Sequence, residues 1–450
     1  MVNYYLSNDP QGCTIFEASC KFTTICHLHT GRRFSMSLDP QHVFLVGAKS
    51  LGAYGGYETF INKLTEYHSH SPQITYHVAC KANGDGAMDE TTLSGVTNLR
   101  YRKDGSIIEF TYHNARCQKI HVPNIGPAQA VYYDLAALWK FCRYIQQNKI
   151  PHPVVYIMAC RIGFFAPLFY LWIHHLGGKL YVNPDGHEWM RAKWNKIIQI
   201  YWKISEQMMV RWSDLVVCDS INIERYIHQC YDVKNHFGKS PDTIYIAYGA
   251  EVPECSAQSH SLQDWYDLHG LSVGNYYLIV SRFVPENNYE TMIREFMASK
   301  TSRSLIIITN SNNKFRKELE LKLDFQSDSR IKFADAIYSQ ELLAAIRQNA
   351  FAYLHGHEVG GTNPSLLEAL GTTQLNLLLD VSFNREVADT AAIDWTKKPG
   401  SLSALIDNCD CMAMADIASF ESRAKQRILQ HYSWQFIADQ YLDLFCSSNQ

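Results

Sequence analysis

The stretch HGHEVGGTNPSLLEALG, residues 355–371, decides the fold. It follows the apolar run 351–354, which predicts a short buried strand of a parallel sheet. Pro364 is well tolerated in a first helical turn, where its missing N–H has no helical partner. The Leu and Ala residues after it predict a helix that begins just after Asn363. The stretch therefore predicts a strand, a glycine-containing loop and a helix N-terminus.

This strand–loop–helix unit is suited to bind an anion. A helix N-terminus presents free backbone N–H groups and the positive end of the helix dipole. Gly360 and Gly361 let a ligand approach the backbone closely. Glu368 lies about one turn into the helix, within reach of a sugar hydroxyl, so a diphosphate carrying a ribose fits better than a bare phosphate. A plain strand-to-helix connection is the alternative that the pattern leaves open.

The composition describes a folded protein of several domains. The chain has 450 residues, which predicts two or three domains, and 46% of them are apolar against 19% charged. A net charge of −3 argues against a protein that binds nucleic acid. The 13 cysteines have irregular spacing that favours neither a zinc site nor a disulfide framework, so we expect reduced thiols in a cytoplasmic protein.

Two features of the sequence concern membranes. The N-terminus lacks a basic start followed by a long apolar run, so no signal peptide is predicted. The most apolar segment, residues 162–173, is interrupted by Pro167 and is shorter than the roughly 20 residues of a membrane span. We expect it to form a core helix with an exposed aromatic edge.

Short apolar runs alternate with helical patterns, which predicts an α/β protein with parallel sheets. Two Rossmann-like halves facing each other across a cleft are expected, with ligands at the carboxyl ends of the strands. The predicted strands are 42–47, 74–79, 107–112, 119–122, 154–158, 179–182, 215–218, 243–247, 277–281, 305–309, 331–333, 351–354 and 375–379.

The polar, turn-rich segment 253–274 separates the two series of strands and is predicted to be a linker. The predicted domains are residues 41–252 before it and 275–432 after it. Residues 1–40 have no clear period and are treated as an appendage. The final segment, 433–450, is expected to be a helix that packs back on the first domain.

A glycine-rich loop with Gly52, Gly55 and Gly56 follows the first predicted strand and precedes a helical pattern. Such a loop is a site for a phosphate or for a close backbone approach. The signal is weak, because the loop lacks both the G-x-G-x-x-G spacing of dinucleotide folds and the Lys-Ser/Thr of a P-loop.

Further stretches stand at predicted strand ends, where open α/β sheets bind ligands. In SRFVPENN, residues 281–288, the guanidinium of Arg282 suits a diphosphate, although it can instead pair with Glu286 or a neighbouring acid. In HVPNIGP, residues 121–127, Asn124 can line an acceptor site, while a turn built by Pro and Gly explains the stretch equally well.

Another such stretch, NPDGHEWMRAKW, carries Asp185, His187 and Glu188 and indicates a functional site. A capping box with Asp185 as helix N-cap and Glu188 at the third helical position is an equal alternative. The helix predicted over 188–212 either rests on an anionic membrane surface or is half-buried with a solvated face. Its basic and aromatic residues are Lys193, Lys196, Lys203, Arg211, Trp194, Trp202 and Trp212.

Six stretches, in matching order, resemble the GT-B glycosyltransferases of family 4. They are GAYGGYETF, NPDGHEWMRAKW, CDSINIERYI, IAYGAEV, SRFVPENNYE and HEVGGTNPSLLEA. The resemblance as a whole covers residues 42–445. Within that family the chain is most similar to the bacterial rhamnosyltransferase branch, which has a DUF1972-type amino-terminal domain.

The resemblance implies a retaining transfer of a sugar, for example rhamnose from dTDP-rhamnose. The second domain would bind the nucleotide-sugar donor and the first domain the acceptor. The implied acceptor is a saccharide on a polyprenyl diphosphate, used in bacterial polysaccharide synthesis at the inner face of the plasma membrane. Peripheral membrane contact is expected through the 189–212 helix, and neither a metal nor a cofactor is expected.

The resemblance also implies roles for individual residues. Asp185, near the reacting carbon, and Arg282, on the diphosphate, are the catalytic pair. Glu368 contacts the ribose. The donor-binding set is Arg282, Glu286, Gly361, Thr362, Asn363 and Glu368. The set for the acceptor or for a phosphate loop joins Gly55, Gly56 and Glu58, which the resemblance implies, with Asn124, His187 and Glu188, which stand at predicted strand ends.

The sequence departs from the wider family at two places. Gly360 stands where the family has a Glu eight residues before the later Glu, and Glu358 is displaced by two positions. Asn287 stands where the family has a Lys after the Pro-Glu pair. Phosphate charge would then rest mainly on Arg282 and on backbone N–H groups.

Other functions are compatible with a fold of this kind. A nucleotide-sugar epimerase would consume the donor without an acceptor. A phosphorylase would need a lysine that holds pyridoxal phosphate, and no such motif is evident. The missing Glu and Lys favour a further alternative, a non-catalytic nucleotide-sugar-binding scaffold of an assembly complex.

Overall fold

The computed structural model describes residues 39–53, 55–191, 194–231, 240–253, 260–309 and 314–447. From Pro40 onward the chain forms one compact unit. The predicted appendage, residues 1–40, lies outside the described residues except for its last two. Residues 254–259 of the predicted linker also lie outside them.

The first sheet has nine strands in the order β3-β4-β5-β2-β1-β6-β7-β8-β9. They are β1 (Gln41–Val46), β2 (Ile74–Lys81), β3 (Thr97–Tyr101), β4 (Ile107–Tyr112), β5 (Ala115–Ile120), β6 (Val154–Met158), β7 (Lys179–Asn183), β8 (Leu215–Cys218) and β9 (Thr243–Tyr245). β1 and β6 are apolar runs buried on both faces, the pattern of a parallel sheet covered by helices on both sides.

One edge of this sheet differs from the prediction. β3 and β4 pair antiparallel, and so do β4 and β5, so the sheet is mixed rather than wholly parallel. β3 was not predicted, because all five of its residues are exposed and no apolar pattern marks it. The strand predicted at 119–122 is β5, which begins at Ala115.

The second sheet has six parallel strands in the order β12-β11-β10-β13-β14-β15. They are β10 (Tyr276–Val280), β11 (Ser304–Ile308), β12 (Ile331–Ala334), β13 (Ala352–His355), β14 (Asn376–Leu379) and β15 (Ile393–Trp395). Only β15, which has three residues, was not predicted.

Helices cover both sheets. Those that follow strands of the first sheet are α1 (Gly56–Tyr67), α2 (Gln129–Asn148), α3 (Ala166–His175), α4 (Lys196–Arg211) and α5 (Ile221–Tyr231). The others are α6 (His260–His269), α7 (Tyr289–Ala298), α8 (Lys314–Leu323), α9 (Gln340–Gln348), α10 (Pro364–Thr372), α11 (Ser382–Ala388), α12 (Ser401–Asp410), α13 (Met414–His431) and α14 (Trp434–Ser447). Short 3-10 turns lie at Glu90–Thr92, Gly126–Ala128, Gly163–Phe165, Glu188–Met190, Pro285–Asn287 and Phe325–Ser327.

The C-terminal helix α14 packs against the first sheet and α1. The hydroxyls of Tyr441 and Tyr156 lie 3.2 Å apart, and His68 Nε2 donates to the carbonyl oxygen of Ala438 at 3.1 Å. The rings of Phe60 and Tyr441 meet edge to face at 5.1 Å. These buried aromatic contacts hold the end of the chain on the half of the molecule where it begins.

The apolar segment 162–173 forms the turn Gly163–Phe165 and most of α3. Its Phe169 and Ile173 enter the core beneath the sheet, while Phe164 and Leu168 are exposed. The prediction of a core helix is confirmed, but its exposed edge is only partly aromatic: Phe164 and Phe165 lie in the turn, and α3 itself exposes Leu168 and Leu171. Among the described helices, none combines the length and apolarity that a membrane crossing requires.

Candidate functional site

A cleft of about 1270 Å³ lies where the carboxyl ends of strands from both sheets converge. The residues that enter it directly after strands include Asp219 after β8, Ser281 after β10 and Thr309 after β11. Loops after parallel strands point to one edge of a sheet, which explains why residues distant in sequence share this space. Among the described residues, no group of three or more His, Cys, Asp or Glu side chains is placed to hold a metal ion.

The stretch 355–371 forms the predicted strand, loop and helix. β13 ends at His355, and α10 begins at Pro364 with Asn363 as its N-cap. The side chain of Asn363 accepts hydrogen bonds from the N–H groups of Ser365, at 2.9 Å, and Leu366, at 3.4 Å. Two of the helical N–H groups that were predicted to be free for an anion are therefore already hydrogen-bonded to the Asn363 side chain.

Gly361, Thr362 and Asn363 all line the cleft. The hydroxyl of Thr362, however, donates to the backbone carbonyl of Asp219, which follows a strand of the first sheet. Thr362 thus ties the loop before α10 to the opposite half of the molecule.

Arg282 lines the same cleft as Asn363, directly after β10. It is exposed, and it forms no ion pair with another described residue. The alternative pairing with Glu286 is therefore wrong. Glu286 lies in the turn Pro285–Asn287 and does not line the cleft, although its carbonyl accepts a hydrogen bond from the N–H of Glu358 at 3.1 Å.

Asn287 occupies the position where the wider family has a lysine. Its side-chain amide donates to the carbonyl of Arg282 at 2.7 Å, and its Oδ1 accepts from Nδ1 of His357 at 2.7 Å. Asn287 is buried and fixes the backbone at Arg282. It therefore positions Arg282 but contributes no charge to the site.

Glu358, displaced from the family position, turns away from the cleft. Its carboxylate pairs with Lys397 Nζ at 2.5 Å and accepts from the Asn288 amide at 3.2 Å. Glu358 does not line the cleft, so it does not replace the glutamate that is absent at Gly360.

Asp185 lies in the cleft on a loop with unusual backbone geometry. It has φ 60° and His187 has φ 50°, both in the left-handed region that costs a non-glycine residue about 1–2 kcal/mol. The N–H of Asp185 donates to Asn183 Oδ1 at 2.8 Å, and Asp185 Oδ1 accepts from the Gly186 N–H at 2.8 Å. These local bonds hold the carboxylate at the carboxyl end of β7.

The capping-box alternative for Asp185 is wrong. Glu188 belongs to a separate 3-10 turn, and the helix predicted over 188–212 begins only at Lys196. Asn195 caps it by accepting from the N–H of Ile198 at 3.0 Å. Lys193, one of the predicted basic residues, lies outside the described residues.

Three of the predicted residues do not line the cleft. Asn124 accepts a hydrogen bond from Gln129 at 3.1 Å in the turn before α2. His187 packs against the ring of Tyr226, with centroids 4.2 Å apart, and burial together with the charge of Lys203 lowers its pKa to about 4. Glu286 is the third residue. All three were predicted to belong to the site only because of their positions in the sequence.

The loop before α1 does enter the cleft. Gly55, Gly56 and Glu58 all line it, and the Glu58 carboxylate accepts from the N–H of Lys49 at 3.0 Å. A Cβ on Gly55 would lie 2.3 Å from Glu58 Oε2, so a side chain there would displace the carboxylate.

Glu368 also lines the cleft, but it has a partner that sequence reasoning missed. Arg347, a buried residue of α9, contacts it through Nη2 at 2.6 Å from Glu368 Oε2. This ion pair fixes the direction of the carboxylate that was assigned to a ribose. The pairing is tertiary, across 21 positions, and no local pattern signals it.

Two further arginines of the cleft were missed. Arg161, after β6, pairs with the buried Asp134 at 3.1 Å, and Arg191 pairs with Glu188 at 2.6 Å. Burial opposes their charge, but the neighbouring carboxylates raise the pKa of both guanidinium groups. Arg161 follows shortly after a predicted strand, and this position in the sequence could have identified it as a candidate site residue.

His357 shows how close the two halves are. Burial, and then the positive charges of Arg191 and Arg282, lower its pKa to about 4. Arg191 comes from the first half and Arg282 from the second, so both guanidinium groups border one small region of the cleft. Such a concentration of positive charge favours a polyanion such as a diphosphate.

The two halves also meet through glycines. A Cβ on Gly186 would lie 2.4 Å from the Cα of Gly360 and 2.5 Å from the N of Gly361. Nearby, the Glu386 carboxylate of α11 accepts from the Ser220 hydroxyl at 2.7 Å and from the Ile221 N–H at 2.8 Å, at the start of α5. These contacts join the two halves beside the Gly360–Gly361 loop.

Buried histidines predict an acid-sensitive fold. Burial lowers the pKa of His355 and His77 to about 3, and that of His357 to about 4. A depressed histidine pKa contributes stability above the unfolded value of about 6.5, which is lost as the pH falls. We expect the unfolding free energy to drop below about pH 6.5, by up to about 1.4 kcal/mol per pH unit for each group. Urea unfolding across this range measures it, and a His355→Gln variant with an unchanged slope would contradict the assignment to His355.

Comparisons with known proteins agree with this architecture. Residues 40–251 match the family described as "Domain of unknown function (DUF1972)". No curated protein shows significant sequence similarity to the chain. The predicted amino-terminal domain type is therefore present, whereas assignment to family 4 and to the rhamnosyltransferase branch stays a prediction.

Solved structures resemble the whole chain. Sucrose-phosphate synthase from Thermosynechococcus elongatus aligns with a TM-score of 0.65 at 13% identity, over 90% of this chain and 98% of that one. Anabaena HepE in complex with UDP aligns with a TM-score of 0.62 at 13% identity, over 90% and 100%. An E. coli structure described as trehalose-6-phosphate bound with UDP-2-fluoro glucose gives 0.65 at 10% identity, over 90% and 99%. The predicted GT-B fold, with two α/β domains, is confirmed.

Proposed function

We propose that this protein is a glycosyltransferase that moves a sugar from a nucleotide-sugar donor to a saccharide acceptor. One observation carries the proposal: a single cleft is bordered by Arg282 and the Gly360–Gly361 loop on one side and by Asp185 on the other, and Arg282 forms no ion pair with another described residue. The HepE and E. coli structures, which share the fold, were solved with UDP and UDP-2-fluoro glucose. A donor of that class supplies the diphosphate that the arginines suit.

The difficult step is departure of the nucleoside diphosphate from the anomeric carbon. Arg282 offers fixed N–H donors to the charge that develops on the leaving phosphate, and one such donor is typically worth about 3–4 kcal/mol. Arg191 and Arg161 border the cleft from the opposite side, where each is already paired with a carboxylate, Glu188 and Asp134 respectively. Because Asn287 replaces the family lysine, we expect the charge of the leaving phosphate to be met mainly by Arg282 and by backbone N–H groups.

We propose that the sugar is transferred with retention. In a front-face route the bond between the anomeric carbon and the phosphate oxygen breaks, and the departing phosphate takes the electron pair and accepts the proton of the acceptor hydroxyl. The acceptor oxygen then forms the new glycosidic bond on the same face. Asp185 stabilises positive charge on the reacting carbon, and contact between the halves at Gly186 limits water in the cleft. The arginines supply the charge compensation in this scheme, so no cofactor is required.

The finer proposal is rhamnose transfer from dTDP-rhamnose to a sugar on a polyprenyl diphosphate, at the inner face of the plasma membrane. It rests on the resemblance of the six sequence stretches to the rhamnosyltransferase branch. Glu368, held by Arg347, is proposed to contact the ribose of the donor.

A donor panel tests the proposal. Purified protein is mixed with UDP-, GDP- and dTDP-sugars, each with and without a polyprenyl-diphosphate-linked sugar, and release of nucleoside diphosphate is followed. We expect release that depends on the acceptor, fastest with dTDP-rhamnose. Conversion of the sugar without any acceptor would indicate an epimerase, and tight donor binding without release in any mixture would indicate a scaffold.

A further inference from the structure

The helices α2, α3 and α4 form one layer on the first sheet, and the outside of this layer is apolar. Their inner residues, such as Phe169, Ile173 and Met209, already fill the core. Large apolar side chains nevertheless point outward, with exposures from 39% at Ile204 to 79% at Ile197. With the adjoining turn Gly163–Phe165, the outward set is Tyr132, Trp139, Phe164, Phe165, Leu168, Leu171, Ile197, Ile200 and Ile204, here called the outer layer surface.

Isolated exposed apolar residues are normal on soluble proteins, but a set on three adjacent helices indicates an interaction surface. The helices pack side by side, and the outward residues of α4 recur at helical spacing, at positions 197, 200 and 204. The α4 stripe therefore faces outward along the length of the helix.

The charges of the outer layer surface have one sign. The three helices contain only two carboxylates, Asp134 and Glu206, and both are buried. Arg143 and Lys196 are exposed, and the Arg143 guanidinium lies 4.8 Å from the ring centre of Trp139. The other basic residues of these helices are Lys140, Lys203 and Arg211.

The surface ends at the mouth of the cleft. Phe164 stacks on Tyr201 with ring centroids 5.7 Å apart, and Tyr201 lines the cleft beside Ile198 and Trp202. Val131, near the start of α2, lines it as well. An apolar molecule on the outer layer surface therefore has a continuous path of aromatic and aliphatic side chains to the proposed reaction site.

We propose that the outer layer surface docks this protein on an anionic lipid bilayer. Apolar side chains at helical spacing with basic neighbours are the features of a surface that inserts at the level of lipid headgroups. A second copy of the chain is disfavoured, because the paired surfaces would bring like charges together with no exposed carboxylate in these helices to compensate. Membrane docking deepens the proposed function, because it would bring the cleft to a membrane-bound acceptor. Only this link to the acceptor rests on the proposed function.

The proposed surface is wider than the membrane contact expected from the sequence, which involved only the 189–212 helix. That helix contributes the stripe at Ile197, Ile200 and Ile204, while α2, α3 and the turn Gly163–Phe165 supply the other six residues of the surface. Docking through three helices places the cleft mouth, rather than the helix end, at the lipid.

Vesicle sedimentation of the full-length protein tests the proposal. Vesicles of phosphatidylcholine are compared with vesicles that also contain phosphatidylglycerol. We expect binding that is stronger with the anionic lipid, and a Leu168→Ser/Ile197→Ser/Ile200→Ser variant that binds at least roughly tenfold more weakly. The matched control is Leu268→Ser/Leu321→Ser, which removes equally exposed leucines from α6 and α8 and is expected to bind as the unmodified protein does.

The outcomes separate the docking surface from the proposed function. Equal binding by the triple variant, or no binding of the unmodified protein to anionic vesicles, would overturn the docking surface. Self-association that the triple variant abolishes, without vesicle binding, would overturn it in favour of a second copy. Nucleoside diphosphate release is measured in parallel with a short-chain, water-soluble acceptor. If the protein binds vesicles through this surface but never releases nucleoside diphosphate, the proposed function fails and the surface stands.

Discussion

Replacement of Arg282 by alanine is expected to lower turnover by at least ~100-fold while leaving the fold intact. The side chain is exposed in the cleft and forms no ion pair with another described residue, so its loss removes little stability. We therefore expect the substitution to weaken the stabilisation of the leaving diphosphate without unfolding the protein. The measurement is the rate of nucleoside diphosphate release, together with the thermal midpoint of unfolding.

Two variants sharpen this test. Arg282→Lys keeps one positive charge but loses the planar fork of donors, so we expect an intermediate rate. Arg294→Ala, on α7 of the same half, removes a partly exposed arginine that pairs with Glu290, and its rate should match that of the unmodified protein. Normal turnover in a folded Arg282→Ala protein would remove Arg282 from the mechanism.

Gly186→Ala is the second substitution with a large expected effect. The added Cβ would lie 2.4 Å from the Cα of Gly360 and 2.5 Å from the N of Gly361. These are backbone atoms that cannot rotate away, so the two halves must separate or the Gly360 loop must shift. Gly186 does not have a positive φ, so alanine is compatible with its own backbone.

A displacement of about 1 Å at a reacting centre can cost about 100-fold in rate, and we expect a loss of that order for Gly186→Ala. Asp185, the preceding residue, would move away from Arg282 as the halves separate. Steady-state kinetics measure the loss, and protection against thermal unfolding by nucleoside diphosphate measures the accompanying loss of affinity. Unchanged values of both would mean that the contact at Gly186 is not needed for catalysis.

The strands that sequence reasoning found are those with strong local patterns. β1, β6 and β10 are largely apolar and buried on both faces, a pattern that is typical of parallel strands covered by helices on both sides. β3 escaped because its residues are all exposed, and β15 because it has three residues. Both lie at the edge of a sheet, where tertiary contacts rather than local sequence define the strand.

The site residues follow the same rule: those with a local sequence signal were predicted, and those defined by tertiary contacts were missed. Asp185 and Arg282 were found because each follows a recognisable strand, and parallel strands bring their carboxyl ends together. The partners of site residues were missed, because pairs such as Arg347–Glu368 and Arg161–Asp134 form between separate elements. Asn124 and His187 satisfied the same rule as Asp185 but point elsewhere, because a strand-end position does not fix the direction of a side chain.

The most direct measurement of the central claim is a crystal structure of the protein with a bound nucleoside diphosphate. We expect the two phosphates to lie in the cleft between the Arg282 guanidinium and the Gly360–Gly361 loop, with the ribose hydroxyls at Glu368. A nucleotide bound elsewhere, or bound in the cleft with its phosphates pointing away from Arg282, would contradict it.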